Sequence, residues 1–294
     1  MNRLRALLLA ATLALSLLAG NVNAAPLPAG KSDFSFEDPR SNPGKPLTVW
    51  VYKPAQATRD SRLVFVMTGV KRNGETYRNN WIRHAEQHNF ILAVPVFDRQ
   101  HYAHPDDYTF AGVTTRDQAH WGFQTLEHLF DALRARERLT ASRYSIYGHS
   151  AGAQFVHRLV LFMGEAARYD TAIAANAGWY TLPIYGQGKE QDFPRTLDRT
   201  ITPESALKTT LARKVVVLLG DRDTDPEHPE LNRSPFAMAQ GPFRLARGQN
   251  FYALAKEQAI ALGADFNWEM LLVPGVAHSD RGMSAAAVRY LFEK

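Results

Sequence analysis

Three side-chain types with nucleophilic, basic and acidic chemistry stand in this chain in the order serine, acid, histidine. The serine is Ser150, in Gly148-His149-Ser150-Ala151-Gly152. The stretch before it, Tyr144 to Tyr147, is β-rich, and the stretch after it, Ala151 to Phe162, carries Phe155, Leu159 and Phe162 at helical spacing. Strand, sharp turn and helix with a serine at the apex is the shape of a nucleophile elbow. The flanking glycines remove side chains that would collide across the turn. The Ala151 backbone N–H is left at a helix N-terminus, where it can meet a developing oxyanion.

A serine hydroxyl is a poor nucleophile at neutral pH and needs a histidine base oriented by a carboxylate. The acid is sought in Gly220-Asp221-Arg222-Asp223-Thr224-Asp225, directly after the apolar run Val215 to Leu219. Asp223 is preferred, a few places beyond the strand end, where it can turn back over the sheet edge. Asp225 is its main rival, and Asp221, almost on the strand, reads as a turn or structural acid. The same three carboxylates mimic the start of a calcium loop, but Pro226 and Asn232 stand where that loop needs Gly and Glu. No metal is therefore expected. The chain has 10 histidines. His278 is chosen because it follows the last apolar strand by a short loop, Pro274-Gly275-Val276-Ala277. His149 adjoins the nucleophile but is read as pointing away from the elbow, into the substrate region. The second oxyanion donor is expected from the loop after the strand Arg62 to Met67, with Gly69 allowing close approach and Val70 N–H donating. Trp179 and Tyr180, after a strand end beside the elbow, are expected to wall the substrate pocket. Trp81 and Trp121 are either walls or core.

The elements that must position these groups are strands alternating with helices. The strands are apolar throughout rather than alternating, which implies a mostly parallel sheet covered on both faces. Ligands of such sheets bind at the carboxyl ends of the strands, and each candidate above follows a strand. Strands are expected at 47–52, 62–67, 90–95, 144–147, 171–175, 215–219 and 267–273. Helices are expected at 76–88, 117–136, 151–162, 203–212, 251–262 and 283–292. Residues 25–46, rich in Pro and Gly, read as an arm, and 98–115 as a long loop. Residues 182–214 break the rhythm and read as a lid or cap insertion.

Composition bounds the partners. A hydrophobic share of 45% and a charged share of 21% are those of an ordinary globular protein. The net charge of +5 has no basic block or aromatic-basic interleaving behind it, so nucleic acid is not expected. There is no cysteine, which excludes disulfides and thiolate chemistry. Residues 1–24 read as a signal peptide: Arg3 and Arg5, an apolar run from Ala6 to Gly20, and Val22-Asn23-Ala24 before the cut. The apolar run is shorter than the roughly 20 residues that span a bilayer. The remainder, 25–294, is expected to be one domain, exported to the periplasm or medium, with no stable membrane insertion.

The triad order, with Gly220-x-x-Asp223 and Gly275-x-x-His278, resembles an α/β-hydrolase of the serine esterase kind. Thr68-Gly69-Val70-Lys71-Arg72-Asn73-Gly74-Glu75-Thr76-Tyr77-Arg78 also resembles the oxyanion segment of secreted polyhydroxyalkanoate depolymerase-like and feruloyl-esterase-like hydrolases. Many relatives carry His before the oxyanion Gly, where this chain has Thr68. The resemblance implies ester hydrolysis through an acyl-enzyme, without a cofactor, on small-molecule or polymeric esters. Two alternatives are kept. One is a peptidase or amidase of the prolyl-oligopeptidase-like kind, against which too little chain precedes Leu47 for an accessory domain. The other is a catalytically silent binding protein on the same fold.

Overall fold

The computed structural model describes residues 25–186 and 192–293; the expected signal peptide lies outside them. The described residues form ten strands, most of them separated by helices. They are β1 (Gly30–Asp38), β2 (Asn42–Lys53), β3 (Leu63–Met67), α1 (Gly74–His88), β4 (Ile91–Val96), α2 (Pro105–Thr109), α3 (Gly122–Glu137), β5 (Tyr144–His149), α4 (Ala151–Met163), β6 (Tyr169–Ala175), β7 (Leu182–Tyr185), β8 (Thr196–Leu197), α5 (Glu204–Leu211), β9 (Val215–Gly220), α6 (Pro235–Gln240), α7 (Arg244–Leu262), β10 (Trp268–Val273) and α8 (Asp280–Phe292). Eight of the strands form one sheet in the order β1-β2-β4-β3-β5-β6-β9-β10. β2 is the reversed strand, antiparallel to both β1 and β4; β4, β3, β5, β6, β9 and β10 pair parallel to one another.

The parallel strands are apolar because both faces are covered. Successive residues go to opposite sides: Leu63, Phe65 and Met67 of β3 join one core, while Val64 and Val66 join the other. The first core takes α3, α4 and α7, and the second takes α1 and α8. Each face of β3, β5 and β9 thus removes aliphatic and aromatic side chains from water, at roughly 25 cal/mol per Å².

Two expectations are corrected. Residues 25–46 are not merely an arm: they supply β1 and the start of β2, paired antiparallel from Gly30↔Lys53 onward. β1 alternates half-buried Phe34 and Phe36 with exposed Lys31, Asp33, Ser35 and Glu37. An edge strand with charges on its solvent face resists edge-to-edge pairing. The helix expected at 251–262 begins seven residues earlier, at Arg244. Its first two turns bury Arg244, Arg247 and Gly248 against the sheet end, so apolar periodicity is absent there.

Within 182–214, β7 and β8 form a small parallel sheet and α5 follows. Thr202 Oγ1 donates to Leu161 O at 3.1 Å and Thr210 Oγ1 to Val160 O at 3.4 Å. These anchors sit about 15 Å along α4 from Ser150, at 1.5 Å per residue. Among the described residues no helix is long and apolar enough to cross a membrane.

Candidate active site

Ser150 sits between β5 and α4 with φ 58° and ψ −115°. This is a backbone conformation that L-residues rarely adopt, and it persists only where the surroundings enforce it. The enforcement is main-chain crowding. A Cβ on Gly148 would run into the Gly152 carbonyl, and one on Gly152 into the Met67 carbonyl. The turn is closed by Ser150 N–H donating to Ala175 O at 3.0 Å and Gln154 N–H to Ser150 O at 3.1 Å. β6 and α4 are therefore both needed to hold the serine at the apex.

Asp223 and His278 are brought together. His278 Nδ1 lies 2.7 Å from Asp223 Oδ2, short enough for a charge-assisted hydrogen bond. Asp223 is 3% exposed. Asp225 is exposed and accepts from Glu227 N–H in a local turn, so the carboxylate that meets His278 is Asp223. Asp221 Oδ1 accepts from Gly275 N–H at 2.7 Å, tying the acid loop to the histidine loop. Asn176 does the same from β6: its side chain accepts from Gly220 N–H at 2.8 Å and donates to Ala277 O at 3.2 Å. His278 is followed by Ser279, the N-cap of α8, whose hydroxyl accepts from Gly282 N–H. The other ring nitrogen, His278 Nε2, is buried without a hydrogen-bond partner. No hydrogen bond joins it to Ser150 among the described residues.

Several residues around this pair were invisible to motif reading. Arg244 places Nη1 3.5 Å from Asp223 Oδ1 and Nη2 3.2 Å from His228 Nδ1. Burial pulls its guanidinium below the ordinary value, and the Asp223 carboxylate works against that pull. His228 stands edge-on to His278, with ring centroids 5.4 Å apart. His149 does not point away from the elbow: its ring lies 4.6 Å from that of His278, tilted by 36°. Burial, reinforced by the positive charge available to His278, holds His149 well below the ordinary imidazole value and therefore neutral. His278 is thus flanked by two imidazoles. The only advance signal was that His149 is chain neighbour to the nucleophile; His228 and Arg244 follow the acid loop with no motif to mark them.

Gly69 reaches the nucleophile. A Cβ added to it would stand 3.7 Å from Ser150 Cβ. Val70, next in line, is 39% exposed. The loop and its surroundings are tied by side chains from behind. Arg72 Nη1 donates to the carbonyls of Phe97, Asp98 and Tyr102 at 2.6, 3.2 and 2.7 Å. Tyr108 donates its hydroxyl proton to Thr68 O at 2.8 Å.

The expected wall divides. Trp179 is half-buried, edge-on to Phe110 and Phe236 at 5.5 and 5.8 Å. Tyr180 is fully buried, stacked on Phe251 at 4.3 Å, so its ring lies in the core beneath the surface. Trp81 and Trp121 are core as well. Among the described residues no group of three His, Cys, Asp or Glu side chains could hold a metal ion.

No protein-family model and no curated protein matches the chain. Solved structures match. Poly(aspartic acid) hydrolase-1 from Sphingomonas sp. KT-1 is 37% identical with a TM-score of 0.83, over 91% of this chain and 100% of that one. LpqC, a poly(3-hydroxybutyrate) depolymerase from Bordetella parapertussis, is 32% identical with a TM-score of 0.83, over 90% and 91%. An S-formylglutathione hydrolase (FrmB) from Staphylococcus aureus, 14% identical with a TM-score of 0.58 over 89% and 97%, shares the fold. With relatives matching at 37% and 32% across most of both chains, the protein belongs to the α/β-hydrolase superfamily, among its serine esterases.

Proposed function

We propose that the protein is an exported hydrolase that cleaves carboxylic esters through an acyl-enzyme, with Ser150, His278 and Asp223 as its triad. The observation that carries this reading is the 2.7 Å contact of His278 with buried Asp223, across the sheet top from a serine held at φ 58°. In the first half-reaction Ser150 Oγ attacks the ester carbonyl while His278 Nε2 takes its proton. Asp223 keeps the proton on Nδ1 and stabilises the imidazolium. The oxyanion is met by the N–H groups of Val70 and Ala151, the latter at the positive end of α4. Collapse expels the alcohol, which leaves with the proton from His278. Water then repeats the cycle on the acyl-enzyme and regenerates Ser150. Gly69 and Trp179 border the substrate, while His149, 4% exposed, packs on His278 instead. The chain is organised as a leader (1–24) and one catalytic domain (25–294), with 182–214 as a cap.

Turnover of short p-nitrophenyl esters by the protein without residues 1–24 tests the reading. Ser150→Ala is expected to lower kcat by about 10³-fold or more and to abolish labelling by a fluorophosphonate. Full activity in that variant would remove Ser150 from the mechanism.

A second reading is favoured by one comparison. The relative at 37% identity is named for hydrolysing poly(aspartic acid), an amide-linked polymer. The same residues can cleave an amide if His278 delivers its proton to the leaving amine. Matched ester and amide substrates separate the two readings: a kcat/KM ratio above about 10² for the ester supports the first, and a reversed ratio the second.

A further inference from the structure

Two buried side chains connect the oxyanion loop to the face of His278, and the triad makes no use of either. Tyr77 stands in the first turn of α1. Its hydroxyl lies 3.1 Å from His149 Nδ1. The same hydroxyl presses on Gly69, where an added Cβ would come within 2.8 Å of it. That Cβ would also lie 3.7 Å from Ser150 Cβ, so the phenol, the loop and the nucleophile share one contact region. On its other side His149 supports the ring of His278 at 4.6 Å. Tyr77 and His149 are 6% and 4% exposed. Burial, with Asp280 adding to it, raises the Tyr77 phenol well above its ordinary value, and the Gly69 backbone N–H works against both. The hydroxyl therefore keeps its proton and can donate it to the neutral His149 Nδ1.

We infer that Tyr77 and His149 are positioning residues that couple the two halves of the site. The Tyr77 hydroxyl fixes the Gly69 peptide, and through it the aim of the Val70 N–H. The His149 ring, held by that hydroxyl, is the shelf on which His278 rests opposite His228. Neither touches a reacting atom. The inference rests on the assignment of Ser150, Asp223 and His278 as the triad. The physical reason is that oxyanion donors act only if they are aimed before the charge forms. Removing the hydroxyl frees the loop and leaves a buried imidazole nitrogen unpaired.

Tyr77→Phe keeps the ring and deletes only the hydroxyl. Its turnover of a short p-nitrophenyl ester and its affinity for a trifluoromethyl ketone should be measured beside Ser150→Ala. The expected result is kcat lower by about tenfold and KM within about twofold, with ketone affinity falling by the same factor as kcat/KM. His149→Gln, which can still accept from Tyr77, should retain severalfold more kcat than His149→Leu. The inference is overturned if Tyr77→Phe keeps kcat and ketone affinity within about twofold while Ser150→Ala is inactive, or if its loss lies in KM alone. Undiminished turnover by Ser150→Ala would instead overturn the triad assignment, and this coupling with it.

Discussion

At the elbow, Ser150 is held by main-chain crowding within a few residues of itself, with backbone groups of Met67, Thr68 and Ala175 closing in from distant parts of the chain. At the acid–histidine corner, Asp223 and His278 are held by side chains from three stretches of chain: Asn176 after β6, Asp221 and His228 in the acid's own loop, and Arg244 at the start of α7. The first arrangement tolerates no added atom. The second depends on polar partners that the fold brings in from other parts of the chain. The two corners also differ in polarity: the elbow is built from peptide groups and glycines, and the other corner from buried charge that must be paired where it stands.

The largest break in this comparison should come at the glycines. Gly152→Ala places a methyl group inside the Met67 carbonyl, and neither backbone can give way. A loss of roughly 3 kcal/mol or more in thermal unfolding, with no measurable turnover, is expected. Gly275→Ala, in the histidine loop at φ 74° with open space around it, should cost only about 1 kcal/mol. Equal costs at the two glycines would erase the distinction between the corners.

A smaller effect on stability and a large one on rate are expected at the acid. Asp223→Asn should lower kcat by roughly 10³- to 10⁴-fold while the protein stays folded. Asp225→Asn should remain within about twofold of the parent, because its carboxylate serves a surface turn. A side-by-side kinetic comparison of the two variants decides between the acids.

A pH-dependent effect is expected at Asp280, two residues beyond His278. Its carboxylate accepts from Asn80 Nδ2 at 2.8 Å and from the Tyr147 hydroxyl at 3.2 Å. Burial raises it from 3.8 to about 6, against the lowering effect of those bonds. A raised acid favours the folded state in its protonated form. Its contribution is complete below about pH 4, the unfolded value, and is lost as pH rises through about 6. Asp280→Asn should therefore gain on the parent between pH 4 and 7, by roughly 1–4 kcal/mol in urea unfolding. A gap that stays constant across that range would show that Asp280 does not titrate there.

Much of the scaffold was legible because burial on two faces leaves a continuous apolar run. The strands around Val64, Ile91, Ile146, Ile173 and Val216 were readable to within a residue or two. β1 was not, because its alternating Phe34 and Phe36 sit among Pro, Gly and charged residues at a sheet edge. The start of α7 was hidden for a related reason. Its inward face carries Arg244 and Arg247, which satisfy carbonyls, a carboxylate and an imidazole instead of filling a greasy stripe. Tyr180 shows the limit for aromatic residues: a tyrosine after a strand end has the same letter whether it faces a cleft or, as here, stacks on Phe251.

For the site, the sequence by itself determined what depends on local sterics and chemical type. Glycine at 148 and 152 around a serine dictates the strained turn, and the order of serine, acid and histidine after three strands restricts the partners to a few residues. The tertiary structure alone decided which carboxylate meets His278, where the His149 ring turns, and that Arg244, His228 and Tyr77 brace the site. These choices are made by side chains far apart in the chain competing for the same few buried hydrogen bonds. The winner depends on distances set by the packed sheet, and no short stretch of sequence encodes those distances.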